Sequence, residues 1–249
     1  EKTTKIIHID IDPAEIGKNI GADLPLVGDA KLVLQQMTEL AKPMKHDEWI
    51  AHIKTLGGER KYVEPAKGTV NPRVFIDRLA KKMPANVTVV ADVGQNQIWT
   101  CTEYKFRKEG RLLTSGGMGT MGYSVPAAIG AKMADDSRAT VAICGDGAFQ
   151  MSFMELATAV QFGVDIKVVV MTNNRLGMVR ELQTNGYHDR QTAVFLDGSP
   201  DFIKLAEAYG IPAMRVYDDD TMEKGIEMLA EHKGICLVEV VVDKDMPTL

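Results

Sequence analysis

Residues 139–183 read ATVAICGDGAFQMSFMELATAVQFGVDIKVVVMTNNRLGMVRELQ. Two apolar runs rich in Val and Ile, 141–144 and 167–172, have strand length, and a helical pattern over 149–162 lies between them. A strand, a crossover helix and a second strand make a parallel pair. Asp146 ends the first strand inside Gly145-Asp146-Gly147, and Asn173 ends the second inside Asn173-Asn174. Twenty-five residues separate Gly147 from Asn173. In a doubly wound parallel sheet, ligands gather beyond the carboxyl ends of the strands. Two strands close together there can point both oxygens at one ion. Gly147 permits close backbone approach. The N–H groups of Ala148 and Phe149 open a helix, which favours an anion. A hard cation beside an anion cradle is how proteins hold a magnesium-bound diphosphate.

Outward from this stretch the same alternation continues. Strands are predicted at 87–91, 111–114, 213–216 and 235–242, with helices at 97–102, 125–133, 176–184, 201–209 and 221–231. Asn71-Pro72 starts the region, with Asn as cap and Pro in the first helical position. Continuous Val/Ile strands alternating with helices predict an α/β fold: a doubly wound parallel sheet covered by helices on both faces. Residues 42–70 are polar, carry Pro43, Gly57, Gly58, Pro65 and Gly68, and read as a linker with one helix at 47–56. Residues 1–41 read as a strand at 5–11, a short helix capped by Asp12-Pro13, an apolar stretch at 24–27 and an amphipathic helix at 29–40.

Composition narrows the function classes. The 249 residues are 45% hydrophobic and 25% charged, with net charge −5. No basic excess exists to neutralise phosphates, so no nucleic-acid partner is expected. No apolar run approaches the roughly 18 residues of a membrane span, and no membrane partner is expected. Cys101, Cys144 and Cys236 are widely spaced and read as buried, reduced thiols of a cytoplasmic protein. The five histidines are scattered without zinc or triad spacing. Residues 117–122, GMGTMG, also spell a dinucleotide fingerprint, but no acidic residue stands near Ala142, where a ribose contact belongs.

Three blocks, DVGQNQIW at 92–99, SGGMGTMGYSVPAAIGA at 115–131 and NNRLGMVRELQ at 173–183, join the GDG…NN pair. Together they resemble the large subunit of acetolactate synthase, a thiamin-diphosphate enzyme, in its C-terminal part. The resemblance implies a remnant of the central domain at 1–41, a linker at 42–70 and a cofactor-binding domain at 71–249. It implies thiamin diphosphate and Mg²⁺ as cofactors. FAD belongs to the full-length family and is not expected to bind this chain.

The resemblance also assigns residues. Asp146, Asn173 and the backbone carbonyl of Arg175 match metal ligands. Gly94, Gln95 and Asn96 match a phosphate-contacting Gly-Gln-His, with Asn in place of His. Gly145, Gly147, Ala148, Gly177 and Met178 match cofactor contacts. The Gly119 carbonyl matches the acceptor for the pyrimidine amino group, and Met121 matches the wedge between the cofactor's rings; both serve cofactor activation. Leu182 stands where the family commonly has Trp in the substrate pocket, which leaves the acceptor preference open and implies weak sulfonylurea sensitivity.

The implied reaction condenses two 2-ketoacids with loss of carbon dioxide. The catalytic Glu belongs to a pyrimidine-binding domain, which nothing here resembles and which is expected in cis or in trans. A homodimer or larger is implied, with a regulatory small subunit as a further partner. A pyruvate oxidase, a 2-ketoacid decarboxylase or a non-catalytic binding module are the alternatives. Because the first strand lacks its sheet, residues 1–41 are expected either to pack on something else or to be a fragment of a longer chain.

Overall fold

The computed structural model describes residues 4–56 and 62–248, and the chain divides into two compact units, Glu1–Arg60 and Lys61–Leu249. Gly57 and Gly58 lie outside the described residues.

In the first unit, β1 (Ile7–Asp10) pairs in parallel with β2 (Leu24–Val27), Ile7 facing Leu24. Helix α1 (Ala30–Leu40) is capped by Asp29, whose carboxylate accepts the Leu32 N–H at 3.0 Å. Helix α2 (Asp47–Leu56) follows. The short helix expected after Asp12-Pro13 is instead a run of turns. Asp12 accepts from Ala14 and Glu15, and the left-handed Gly17 gives its N–H to His8 Nδ1, which ends helical continuation. None of the described residues of this unit is buried.

The second unit opens with α3 (Pro72–Lys82), where the Asn71 side chain accepts the N–H groups of Arg73 and Val74. The chain then runs through β3 (Thr88–Ala91), α4 (Gln95–Glu103), β4 (Arg111–Thr114), α5 (Ser124–Ala134), β5 (Thr140–Gly145), α6 (Asp146–Gln150) and α7 (Leu156–Gln161). It continues with β6 (Lys167–Thr172), α8 (Gly177–Gly186), α9 (Phe202–Ala208), β7 (Ala213–Val216), α10 (Asp219–Glu231) and β8 (Cys236–Val241). The six strands form one parallel sheet in the order β4-β3-β5-β6-β8-β7.

Alternate residues of the central strands feed two cores. Val89, Val141, Val169 and Val238 pack with Phe75, Leu79, Trp99 and Ile226 on one face. Val90, Ala142, Val170 and Leu237 pack with Val125, Phe149, Leu156 and Phe202 on the other. Each such buried Val, Leu or Ile contributes roughly 1.5–3 kcal/mol relative to exposure.

The single helix expected over 149–162 is broken. A 3-10 turn at Phe153–Glu155 separates α6 from α7, and Ser152 leaves helical geometry at φ −143°. The break lies where Gly122 meets the chain: a Cβ there would sit 3.0 Å from Met151 Cβ. Cys144 and Cys236 are buried as expected, but Cys101 faces solvent on α4. It falls on the outer side of a helix that buries Trp99 and Thr100 instead.

Candidate functional site

Neighbouring strands β3 and β5 send the chain in opposite directions, β3 toward β4 and β5 toward β6. Such a switch point leaves a crevice beyond the carboxyl ends of the strands. A cavity of about 70 Å³ lies there. Its walls are the first turns of three helices: Gly94, Gln95 and Asn96 of α4, Asp146, Gly147 and Ala148 of α6, and Gly177 and Met178 of α8. Gly145, Asn173, Arg175 and Met121 also line it. First-turn N–H groups lack intrahelical partners and carry partial positive charge. Three of them meet around one cavity, beside the Asp146 carboxylate.

Asp146 is buried at this convergence. One carboxylate oxygen accepts the Gly147 N–H at 2.8 Å, and the other accepts those of Asn173 at 3.2 Å and Asn174 at 2.6 Å. The carboxylate therefore ties the end of β5 to the end of β6. Burial pushes its pKa up to about 6, against the opposing pull of the Asn174, Gly147 and Asn173 N–H groups. Among the described residues no lysine or arginine pairs with it. A buried carboxylate without a cation is costly, and a bound cation would relieve it.

The Asn173 side-chain oxygen accepts the Arg175 N–H at 3.1 Å, and its Nδ2 donates to Gln95 Oε1 at 3.2 Å. Arg175 turns its guanidinium away, to Asp197 at 2.8 Å and over the Phe195 ring at 4.6 Å.

Gln95 and Asn96 line the cavity, but their side-chain N–H groups point elsewhere. Asn96 Nδ2 donates to the carbonyls of Asp92 at 2.8 Å and Ile143 at 3.2 Å, joining α4 to β3 and β5. Gln95 Nε2 donates to the Met246 carbonyl at 3.0 Å, with Thr248 Oγ1 and Glu181 also in reach at 3.2 Å. What these two residues present to a ligand is first-turn backbone.

Two glycines make room. A Cβ on Gly147 would stand 2.7 Å from Leu176 Cδ2, and one on Gly177 would overlap Gln95 Oε1. Gly94 holds φ at 142°, open only to glycine. Gly119, at φ 64°, and Leu182 are exposed and do not line the cavity. Met121, half-buried beside Gly147, does.

Sequence reasoning missed Asp92. This buried carboxylate accepts from Val93 at 2.9 Å, Gly122 at 3.0 Å and Ser124 at 2.7 Å, and so pins the glycine-rich loop to the end of β3. An acidic residue closing a Val-rich strand was the available signal. It also missed the segment Met246–Thr248, whose partners lie in α4 and α8: Trp99 Nε1 donates to the Pro247 carbonyl at 3.2 Å, and Thr248 N–H to Glu181 at 3.1 Å.

Among the described residues no cluster of three His, Cys, Asp or Glu could cage a metal. The donor set is one carboxylate, one amide oxygen and backbone. That suits Mg²⁺, which is usually held by one or two carboxylates together with ligand phosphates. The residues present fit a Mg²⁺ diphosphate.

Fold and site together define an α/β protein built to hold an anionic cofactor at a sheet switch point. The family model "Thiamine pyrophosphate enzyme, C-terminal TPP binding domain" matches residues 92–240, and that of the central domain of the same enzymes matches residues 1–37. The chain belongs to the thiamine pyrophosphate (thiamin diphosphate) enzymes, with the match to their C-terminal cofactor-binding domain over residues 92–240. It is 36% identical over 245 residues to the acetolactate synthase large subunit of Lactococcus lactis, covering 98% of this chain and 42% of that one. It is 38% identical over 250 residues to a probable acetolactate synthase large subunit of Methanocaldococcus jannaschii (96% and 42%). It is 36% identical over 250 residues to the acetolactate synthase isozyme 3 large subunit of Escherichia coli (96% and 43%). The chain thus spans about two fifths of the length of these relatives.

Proposed function

We propose that this chain is the diphosphate- and Mg²⁺-binding part of an acetolactate synthase large subunit, which condenses two 2-ketoacids with loss of carbon dioxide. The observation that carries the reading is the buried Asp146 carboxylate between the ends of β5 and β6, facing three helix first turns. Asp146, the Asn173 oxygen and the Arg175 carbonyl are assigned to Mg²⁺. The first-turn N–H groups of Gln95, Asn96, Ala148, Gly177 and Met178 are assigned to the diphosphate, with Gly94, Gly145 and Gly147, whose own N–H goes to Asp146, giving backbone clearance. Gly119 and Met121 are assigned to the heterocycles. Leu182 is assigned to the outer wall of the substrate pocket, which leaves the acceptor preference open.

Bound thiamin diphosphate supplies the electron sink that 2-ketoacid decarboxylation requires. This chain's residues hold and orient it. Asp146 anchors the metal, the helix first turns neutralise the diphosphate, and Trp99, Met171 and Val242 line the cavity with apolar surface that limits water. The catalytic Glu is assigned to a pyrimidine-binding domain outside these residues, in cis or in trans. Assembly as a homodimer or larger, a regulatory small subunit and a cytoplasmic location belong to the same reading. Among the described residues no helix is long and apolar enough to cross a membrane.

Calorimetric titration of thiamin diphosphate with Mg²⁺ into the chain, beside Asp146→Ala, tests the proposal. Binding that the variant loses is the expected result. Equal affinity in the two proteins would falsify the metal assignment. With the pyrimidine-binding domain supplied, acetolactate is the expected product from pyruvate; acetyl phosphate or free acetaldehyde would redirect the reading to an oxidase or a decarboxylase.

A further inference from the structure

Two side-chain amides and two backbone groups line up head to tail across the cavity wall. The Arg175 N–H donates to Asn173 Oδ1, Asn173 Nδ2 donates to Gln95 Oε1, and Gln95 Nε2 donates to the Met246 carbonyl. The ends of this row are backbone groups and cannot flip. A backbone N–H requires an oxygen at Asn173, and a backbone carbonyl requires a nitrogen at Gln95. Turning either amide over would set N–H against N–H or oxygen against oxygen. The orientation of Asn173 is therefore fixed from both sides, and its oxygen stays on the side of Arg175.

The surroundings hold this row in place. Gln95 is buried, and Thr248 Oγ1 and Glu181 give its amide further acceptors. Glu181 in turn accepts the N–H and the hydroxyl of Thr248. Trp99 fixes the Pro247 carbonyl between them. Gly177 is open where the Gln95 carbonyl passes, since any Cβ there would overlap it.

We propose that Gln95 is a positioning residue for Asn173, and that the segment Met246–Thr248 acts on the metal site through it. This rests on the assignment of the Asn173 oxygen to Mg²⁺. Gln95 itself touches neither metal nor diphosphate through its side chain in this scheme. It fixes which atom of Asn173 is presented, so that the ligand pays less ordering entropy on binding.

The test uses the whole 249-residue chain, with and without ligand. In the ligand-free chain, amide hydrogen exchange is read at Arg175, whose N–H is held by Asn173, and at Val169 in β6 as a core reference. Gln95→Met is expected to quicken exchange at Arg175 at least tenfold while leaving Val169 within twofold. Calorimetry with thiamin diphosphate and Mg²⁺ is expected to show at least tenfold weaker binding for Gln95→Met and for Asn173→Ala. The double variant is expected to be no weaker than Asn173→Ala alone, because both act through one ligand. Gln95→Glu keeps an oxygen for Asn173 Nδ2 but sets a carboxylate oxygen against the Met246 carbonyl and Glu181, so it too is expected to quicken exchange at Arg175 and weaken binding at least tenfold.

Additive losses in the double variant, or a Gln95→Glu variant that behaves like the parent, would overturn the proposal. So would unchanged exchange at Arg175, whatever the binding shows. If Asn173→Ala binds like the parent while Asp146→Ala does not, the assignment of Asn173 to the metal is wrong and the proposal falls with it. If the parent chain binds no ligand, the functional reading fails separately. The relay then stands or falls on the exchange at Arg175.

Discussion

Asp146 is an acid whose folded-state pKa, about 6, lies above its ordinary 3.8. Between those values the native chain holds a proton that the unfolded chain releases. Stability from this group is fully present below about pH 4 and is lost as pH rises through 6. In the presence of a chelator, the parent is therefore expected to lose up to about 3 kcal/mol of stability between pH 4 and pH 7.5 that Asp146→Asn, which does not titrate, keeps. The variant's own offset, from an amide N–H set against backbone N–H groups, should be the same at both pH values. Urea denaturation at the two pH values checks it, and a difference that does not change with pH would count against the burial argument. That Asp146 and Asn173 come together at two neighbouring strand ends was legible because the signal is local: a carboxylate and an amide closing two Val-rich runs a fixed distance apart in sequence. The directions of the Gln95 and Asn96 side chains were not legible. Their acceptors, Met246 and Ile143, stand 151 and 47 positions away, and no local pattern reports them.

At the scale of elements, the glycine-rich loop is held by one side chain. Asp92 takes the N–H groups of Gly122 and Ser124, which join the loop to α5. Asp92→Ala would strand both donors, each at a cost of roughly 1–3 kcal/mol if they stay buried. The expected outcome is a lower urea midpoint and a glycine-rich loop more open to protease, with cofactor affinity lowered through Met121. An unchanged midpoint would show that water replaces the carboxylate without loss. Strands and most helices were legible from the Val/Ile runs and from caps such as Asn71 and Asp218, the latter closing a capping box with Thr221. The break between α6 and α7 was not. The pattern over 149–162 is continuous, and the interruption comes from the loop that approaches at Gly122, a tertiary event.

For the whole molecule, the two units differ in how much they bury. Lys61–Leu249 carries both hydrophobic cores, whereas the described residues of Glu1–Arg60 include none that is buried. Ile11, Leu40, Met44, Trp49 and Leu56 are all exposed there. Described residues that bury no core cannot by themselves offset the entropy of ordering them. Residues 61–249 produced alone are expected to unfold at the same denaturant midpoint as the whole chain. Residues 1–60 alone are expected to show no cooperative transition by circular dichroism. A drop in the midpoint on removing residues 1–60 would mean that the first unit contributes to the second unit's stability.

The row of amides that ends at Met246 has a bearing on how the protein is made. A ribosome releases Gln95, Asp146 and Asn173 long before it reaches Met246, which lies 151 positions beyond Gln95. The sheet has the same dependence, because β6 gains its second neighbour only when β8 has been synthesised. A nascent chain that has not reached β8 therefore lacks both the second neighbour of β6 and the acceptor for Gln95, and is expected to hold its amide row less firmly than the 249 residues do.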